Sequence, residues 1–573
     1  MRWRRLLLSL RRDSLPAVAM LVFLVITYTA GIGRVHLFDW DEVNFAECAR
    51  EMRLSGAYLY AQIGYLPFWE KPPLFFWVQA ASMALWGETE WAARFPNVLI
   101  MGITLWVLYG LGRQWHSTTF AWIWMFFYGI ALLPAFYARS GLIDPLFNLF
   151  MLLAAMSGGR AFGGQVEAWK AGLWTGLWMA LAVLTKGPVG IGLPAIALIT
   201  LGLFHRQVRG LFQVGLTAAL MVSLIVGSWL GLLYLSGKAH LITDFWAYQW
   251  RLFSTPDAGH GGPWYYHIVL WLVGLLPASP WALAALRHIR PFALPHPAQT
   301  LLWLTLWTLV IFSVVKTKII HYSSLGYFGV AYLAATGWHK SRKSALLWLL
   351  SGAGMVVFMA VSGILPLFMK QVESWLHWVE DPFAREVLRS RPVAWSGWEG
   401  WPGLVALGGL GMLFLVPLGA LTRLVGLGLI TVVWESFVLW VYVPRVEAYS
   451  QAPLVRFCER AAAEGAVAWP LGFKSYVPYF YGRMGPSVSP GQWGSVEAFE
   501  AALLRGEAGP VYFVSRVDRY KSFVESLNLQ VIEQSGGYVL LLPGSSPNEA
   551  EKNSSPTTTA QKAHETPTEA EKR

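Results

Sequence analysis

Apolar residues recur in blocks of roughly 20, each long enough to cross a bilayer as one helix, with short polar stretches between them. The blocks fall near 15–35, 95–113, 117–137, 142–158, 170–185, 187–204, 211–235, 264–286, 299–315, 319–337, 344–369, 401–420 and 422–443. They predict about thirteen membrane-spanning helices. Three intervening segments are long: 36–94, 236–263 and 370–400. In the first, FAECAREMRLSG alternates apolar and charged residues at helical spacing, and Gly56 is placed to stop the helix. It predicts short amphipathic helices lying on the membrane as a roof over the bundle. After Pro444 the pattern changes. Residues 445–545 have ordinary soluble composition, with a helix-like PLVRFCERAAAEG before strand-like GPVYFVSR and GGYVLLLP. Residues 546–573 are polar, free of aromatics and rich in Ser, Thr, Pro and Glu, which predicts disorder. The expected fold class is an all-α polytopic membrane bundle (1–444) with a small C-terminal α/β domain (445–545) and a disordered tail (546–573).

Composition agrees. Of 573 residues 55% are hydrophobic and only 13% charged, where soluble domains carry about a quarter. Mean hydropathy is +0.45. The start, MRWRRLLLSLRR, leads into a long apolar core with no small-residue cleavage site, so an uncleaved first helix with its N-terminus inside is expected. Inner loops then carry Arg113, Arg160 and Lys170, Arg206 and Arg209, Arg287 and Arg290, Lys340, Arg342 and Lys343, and Arg423. That is the positive-inside pattern. It accounts for the net charge of +11 without nucleic acid. Most of the 32 tryptophans belong to interfacial belts and lipid-facing packing. Cys48 and Cys458 lie far apart, require no disulfide, and form no metal-binding spacing.

Some cations break that pattern. Lys71, Arg139, Lys186, Lys316 and Lys318 fall in or beside outer loops. One lysine there can snorkel or meet a lipid headgroup; several beside acidic motifs point to a bound phosphate or diphosphate. The acidic motif FDWDEVNFAE brings Asp39, Asp41 and Glu42, which suit a solvated first helical turn or a general base at the membrane surface. Glu70 and Lys71 precede Pro72 and Pro73, which fix a bend; the pair reads as an exposed ion pair or as Lys71 meeting a phosphate that Glu70 orients. Asp144 stands at the mouth of a span before Pro145. It reads as a helix cap or as a carboxylate facing a polar interior, with Arg139 near enough to pair with it or with substrate. Lys186 lies in a tight Gly/Pro connection, and KTKIIHYSS sets Lys316 and Lys318 ahead of His321 and Tyr322, expected one turn into a helix. Arg251 lies among aromatics in 236–263, where Gly259, Gly261 and Gly262 predict a mobile gating segment.

The stretch DWDEVNFAECAREMRLSGAYLYAQIGYLPFWEKPPLFFWVQA resembles the first periplasmic loop of the aminoarabinose transferase and protein O-mannosyltransferase superfamily, the bacterial glycosyltransferases of family 39/83 type. That loop reads D-E-x-x-Y-A-E-x-x-R-E-M, then F-E-K-P-P. Asp41, Glu42, Ala46, Glu47, Arg50, Glu51, Met52, Gly56, Glu70, Lys71 and Pro72 fall on it, and ARSGLIDPLFNLF, TKGPVG and KTKIIHYSS follow in the expected order. The resemblance implies a GT-C glycosyltransferase of a bacterial inner membrane, its active site on the periplasmic side. Its donor would be a polyprenyl-phosphate sugar, its acceptor lipid A, another glycan or a protein. It puts Asp41 at the catalytic-base position and Asp144 at the second acidic position. Lys71, Tyr322 and Arg251 fall on or near donor-phosphate contacts, joined on chemical grounds by Lys186 and Lys318. Glu42, Glu70, Arg139 and His321 are auxiliary, and Glu70 falls where a divalent-metal ligand occurs in the aminoarabinose branch. Asn44 and Phe45 replace the usual Arg and Tyr, and His321 departs from the pattern too, so sugar and acceptor stay open. A transporter or flippase of lipid-linked sugars is the alternative; it predicts inverted repeats and broken mid-membrane helices, of which the sequence has no sign.

Overall fold

The computed structural model describes residues 15–254 and 261–544. The basic N-terminal residues, Gly259 and the expected tail 546–573 lie outside the described residues. Every expected apolar block contains a helix or a bent helix pair. Among the described residues six helices are long and apolar enough to cross a membrane, or eight if each bent pair counts as one. The bent pairs are Thr118–Gly129 with Leu132–Ala138 (73°) and Tyr266–Gly274 with Ser279–Ala285 (113°). The block at 319–337 starts later than expected, as the helix Tyr327–Ser341. His321 and Tyr322 therefore sit in a non-helical turn, a correction to the expected placement. Lys318 explains it. Its ammonium donates to the carbonyls of Phe312, Ser313 and Val315 (2.7, 2.8 and 2.5 Å), closing the helix His296–Val314 and releasing the chain into a turn.

Small residues set the bundle packing. A Cβ at Gly172 would meet Thr217 Oγ1 at 1.8 Å, and one at Gly176 would meet the Ala218 carbonyl at 2.5 Å. These glycines let the helix Ala168–Lys186 lie close against Val208–Leu235. Trp124, Trp281 and Trp338 fill the bundle core.

The first long loop is not a surface layer. Its helix Asp41–Ser55 ends at Gly56, in the left-handed conformation at φ 71° with its N–H donating to the Met52 carbonyl. Residues Glu42 to Met52 are all buried, contrary to the expected membrane-lying helix. The reason is a second partner. Val43, Phe45 and Cys48 share one hydrophobic core with Leu454, Val455, Phe457 and Phe480 from beyond the last membrane helix. A hairpin, β1 (Gln62–Ile63) and β2 (Leu66–Pro67), follows. Its turn residues Gly64 and Tyr65 both have positive φ (62° and 60°), as a type I′ hairpin turn requires.

The helix Ala420–Tyr449 runs through Pro444. The chain then forms a mixed sheet from β3 (Val467–Leu471), β4 (Val511–Arg516), β5 (Leu529–Ser535) and β6 (Tyr538–Pro543). Strand order is β3-β4-β6-β5, with β3 parallel to β4 and the other pairs antiparallel. Both cysteines are buried and free.

Candidate active site

A cavity of about 720 Å³ lies where the first loop, the bundle and the C-terminal region meet. Its lining includes Asp41, Glu42, Glu70, Lys71, Arg139, Asp144, Lys186, Arg251, His321 and Tyr322. Lys316 and Lys318 are not part of it. Lys318 spends its ammonium on helix closure, and Lys316 is exposed.

Asp144 begins the helix Asp144–Phe162 and makes no capping bond. Its carboxylate, 5% exposed, accepts from Lys186 Nζ at 2.6 Å, and His321 Nε2 lies 3.8 Å away. The helix-cap alternative thus gives way to an ion pair facing the cavity. Lys186 also lies 5.4 Å from the ring centre of Tyr322, which joins that residue to the cluster. Lys71 Nζ stands 3.9 Å from Glu70, whose other contact is the Tyr248 hydroxyl, donating at 3.0 Å. Burial holds the Lys71 ammonium below the ordinary lysine range; the Lys186 charge adds to this, and Glu70, Asp41 and Asp144 oppose it. Arg251 stacks on Tyr248, 5.2 Å from the ring centre. Tyr248 and Arg251 are three apart on the helix Ala239–Ser254 and so share a face.

The carboxylates at the roof divide by their partners. Asp39 accepts from Ser475 Oγ (2.5 Å) and the Tyr476 N–H (3.0 Å), tying the loop to the C-terminal region. Burial raises its pKa, against these hydrogen bonds and the Lys474 charge. Glu42 takes a two-bond grip from Arg94 (2.9 and 2.7 Å) and accepts from the N–H groups of Gly141 (2.6 Å) and Phe38 (3.1 Å). Burial pushes Glu42 up, but Arg94 and these bonds win and hold it below its usual value. Glu42 is thus a brace that fixes the start of the loop helix. Asp41, at the first turn of that helix, differs: among the described residues nothing hydrogen-bonds to its carboxylate. The helix N-terminus favours its charge. Asn44 follows one turn later, buried, its amide oxygen without a hydrogen-bond partner among the described residues and its side chain on the cavity wall.

Arg139 does not reach Asp144. It lies 3.9 Å from Glu435 and donates to Ser436 Oγ at 2.9 Å. Glu435, Tyr248, Lys474 and Tyr476 were not singled out from sequence. Glu435 had a signal, as a carboxylate inside a membrane helix. Lys474 and Tyr476 had none, because they reach the cavity from the C-terminal region.

Residues 70–230 match the dolichyl-phosphate-mannose-protein mannosyltransferase family. Among curated proteins, undecaprenyl phosphate-alpha-4-amino-4-deoxy-L-arabinose arabinosyl transferase 2 of Proteus mirabilis is 25% identical over 396 residues, 65% of this chain and 70% of its own. The corresponding transferase of Photorhabdus laumondii is 26% identical over 391 residues, again 65% and 70%. The crystal structure of ArnT from Cupriavidus metallidurans bound to undecaprenyl phosphate superposes with a TM-score of 0.74 at 19% identity, covering 93% of this chain and 99% of that one. Its apo state gives 0.71 at 20% identity. The chain thus resembles the aminoarabinose transferases in sequence and shares the ArnT fold. Its long apolar helices and the shared fold make it a multi-pass membrane protein. Among the described residues no three His, Cys, Asp or Glu side chains stand together as a metal-ligand set. Glu70 contacts the Tyr248 hydroxyl and Lys71.

Proposed function

We propose that the cavity transfers a sugar from a polyprenyl-phosphate donor to a lipid acceptor on the periplasmic side of a bacterial inner membrane. The relatives' undecaprenyl phosphate-linked 4-amino-4-deoxy-L-arabinose is the donor to test first. The observation that carries this reading is the meeting, around a single cavity, of the Asp41 carboxylate, which accepts no hydrogen bond among the described residues, with Lys71, Lys186 and Arg251.

The donor phosphate lies among Lys71, Lys186, Arg251 and Tyr322. Asp144 keeps Lys186 in place by its 2.6 Å contact. Asp41 takes the proton from the acceptor O–H, a hydroxyl or a monoprotonated phosphate. The acceptor oxygen attacks the anomeric carbon, and the bond from that carbon to the phosphate oxygen breaks. Polyprenyl phosphate leaves with the electron pair, and its growing charge is met by the fixed cations. One displacement inverts the anomeric centre. Asn44 offers its buried amide oxygen to the sugar beside the base.

The test is direct. Purified protein in lipid nanodiscs receives radiolabelled undecaprenyl-phosphate aminopentose, or a polyprenyl-phosphate hexose, with lipid A, and the labelled product is identified. Labelled lipid A from the aminopentose donor is expected. No product from any donor, with donor crossing vesicles instead, would overturn the reading.

A further inference from the structure

The cavity has a second charged end that the donor cluster does not use. Arg34, Phe136, Arg139, Ser436, Leu439 and Trp440 line it. Arg34 is exposed and stacks on Trp440, its guanidinium 4.1 Å from the ring centre. Arg139 lies under the same wall, 4.8 Å from the Tyr28 ring centre. Its hydrogen bonds among the described residues go to the Ala135 carbonyl (3.2 Å) and Ser436 Oγ (2.9 Å), which leaves much of its donor fork unused. Glu435 beneath it is 8% exposed, and among the described residues both its oxygens lack a hydrogen-bond partner. Glu435 lies 3.9 Å from the cation without accepting its N–H groups.

A second observation continues this end into the membrane. An apolar crevice of about 280 Å³ opens between the helices Leu15–Thr29, Thr118–Gly129 and Ala420–Tyr449. On the last of these Val425, Gly428, Leu429 and Val432 line the crevice, while Ser436, Leu439, Trp440 and Val443 line the cavity. Taking the adjacent pairs 428/429 and 439/440 as single positions, they recur at three- and four-residue steps and so lie on one face of a single helix. The chain around the first helix runs the same way, with Ala19 and Phe23 of the helix on the crevice and Ala30 and Gly31, just past its end, on the cavity.

We infer that this seam admits the acceptor: an amphipathic lipid whose acyl chain lies in the crevice and whose anionic headgroup is bound by Arg139 and Arg34. The inference rests on the proposed transfer and names the side from which its second substrate comes. A donor tail is the rival occupant. The donor cluster, however, is built from Lys71, Lys186, Tyr248, Arg251 and Tyr322, none of them on the first or last membrane helix. The seam has its own pair of cations, so its occupant brings its own anion.

The experiment measures acceptor and donor KM separately in nanodiscs, with the radiolabelled aminopentose donor and lipid A as acceptor. Arg34→Gln and Arg139→Gln should each raise acceptor KM about tenfold or more, the loss of a charge-assisted contact, with donor KM unmoved. Arg139→Gln strands Glu435, so Arg139→Met with Glu435→Met is the companion variant and should show the same split. Ala19→Trp, which fills the crevice, should raise KM for fully acylated lipid A and spare a deacylated analogue. A rise in donor KM in these variants would assign the seam to the donor tail and overturn the inference, as would unchanged acceptor KM. A wild-type protein that transfers nothing would instead sink the proposed function itself.

Discussion

Lys71 and Lys318 carry the same side chain in loops of similar composition, yet their surroundings give them opposite work. Lys318 is saturated by three backbone carbonyls and stands away from the cavity. Lys318→Met should therefore lower thermal stability and leave donor KM unchanged. Lys71 faces the cavity, 3.9 Å from Glu70 and 5.6 Å from the Tyr248 ring centre. Its depressed pKa has a definite sign: the ammonium loses its proton at a lower pH than an ordinary lysine. Transfer should fall on the alkaline side as that charge is lost, and Lys71→Arg should move the fall to higher pH, since a guanidinium stays charged. A pH profile of donor kcat/KM checks this; an unmoved alkaline limb would remove Lys71 from the phosphate site. Sequence reasoning could single out both lysines because both break the positive-inside pattern. It could not separate them, because the difference lies in which carbonyls a turn exposes.

The loop helix Asp41–Ser55 shows where sequence pattern misleads about an element. Its Gly56 stop was legible; its start at Asp41 was not. Its burial was not, since Glu47, Arg50 and Glu51 read as a solvated face. In the fold Arg50 bonds Glu47 twice at 2.7 Å and donates to the Met484 carbonyl at 2.7 Å, while Glu51 accepts from the N–H groups of Gly64 (2.6 Å) and Tyr65 (2.9 Å). The polar stripe thus fastens the helix to the hairpin turn and to the C-terminal region. Arg50→Met strands Glu47 and should cost about 3–5 kcal/mol, seen as a lower melting temperature and faster proteolysis of residues 36–73. Burial, reinforced by Glu47, pushes the Glu51 pKa up to about 9. The folded state therefore keeps a proton that the unfolded chain has already lost above the ordinary carboxylate range. Stability from this group is full at acid pH and declines as pH rises toward about 9. Glu51→Gln should flatten that slope in melting curves taken from pH 5 to 9; an unchanged slope would place the titration elsewhere.

Over the whole molecule, the apolar blocks made the helical bundle legible, and the two bent pairs and the late start at Tyr327 were the parts that blocks of hydrophobicity cannot reveal. Most of the candidate site was legible too, because Asp41, Lys71, Asp144, Lys186, Arg251 and Tyr322 lie in motifs whose charge is out of place for a membrane chain. Their meeting in one cavity was not, since it depends on the C-terminal region closing over the first loop through a shared core. Removal of residues after Tyr449 should expose the loop helix to protease and abolish transfer. The account comes down to Asp41 acting on an acceptor proton inside that cavity. The deciding measurement is the transfer rate of Asp41→Asn beside wild type in nanodiscs, with radiolabelled undecaprenyl-phosphate aminopentose, lipid A, and donor binding measured in parallel. A fall of about 10²–10⁴-fold in rate with donor binding retained is predicted; turnover near the wild-type rate would contradict it.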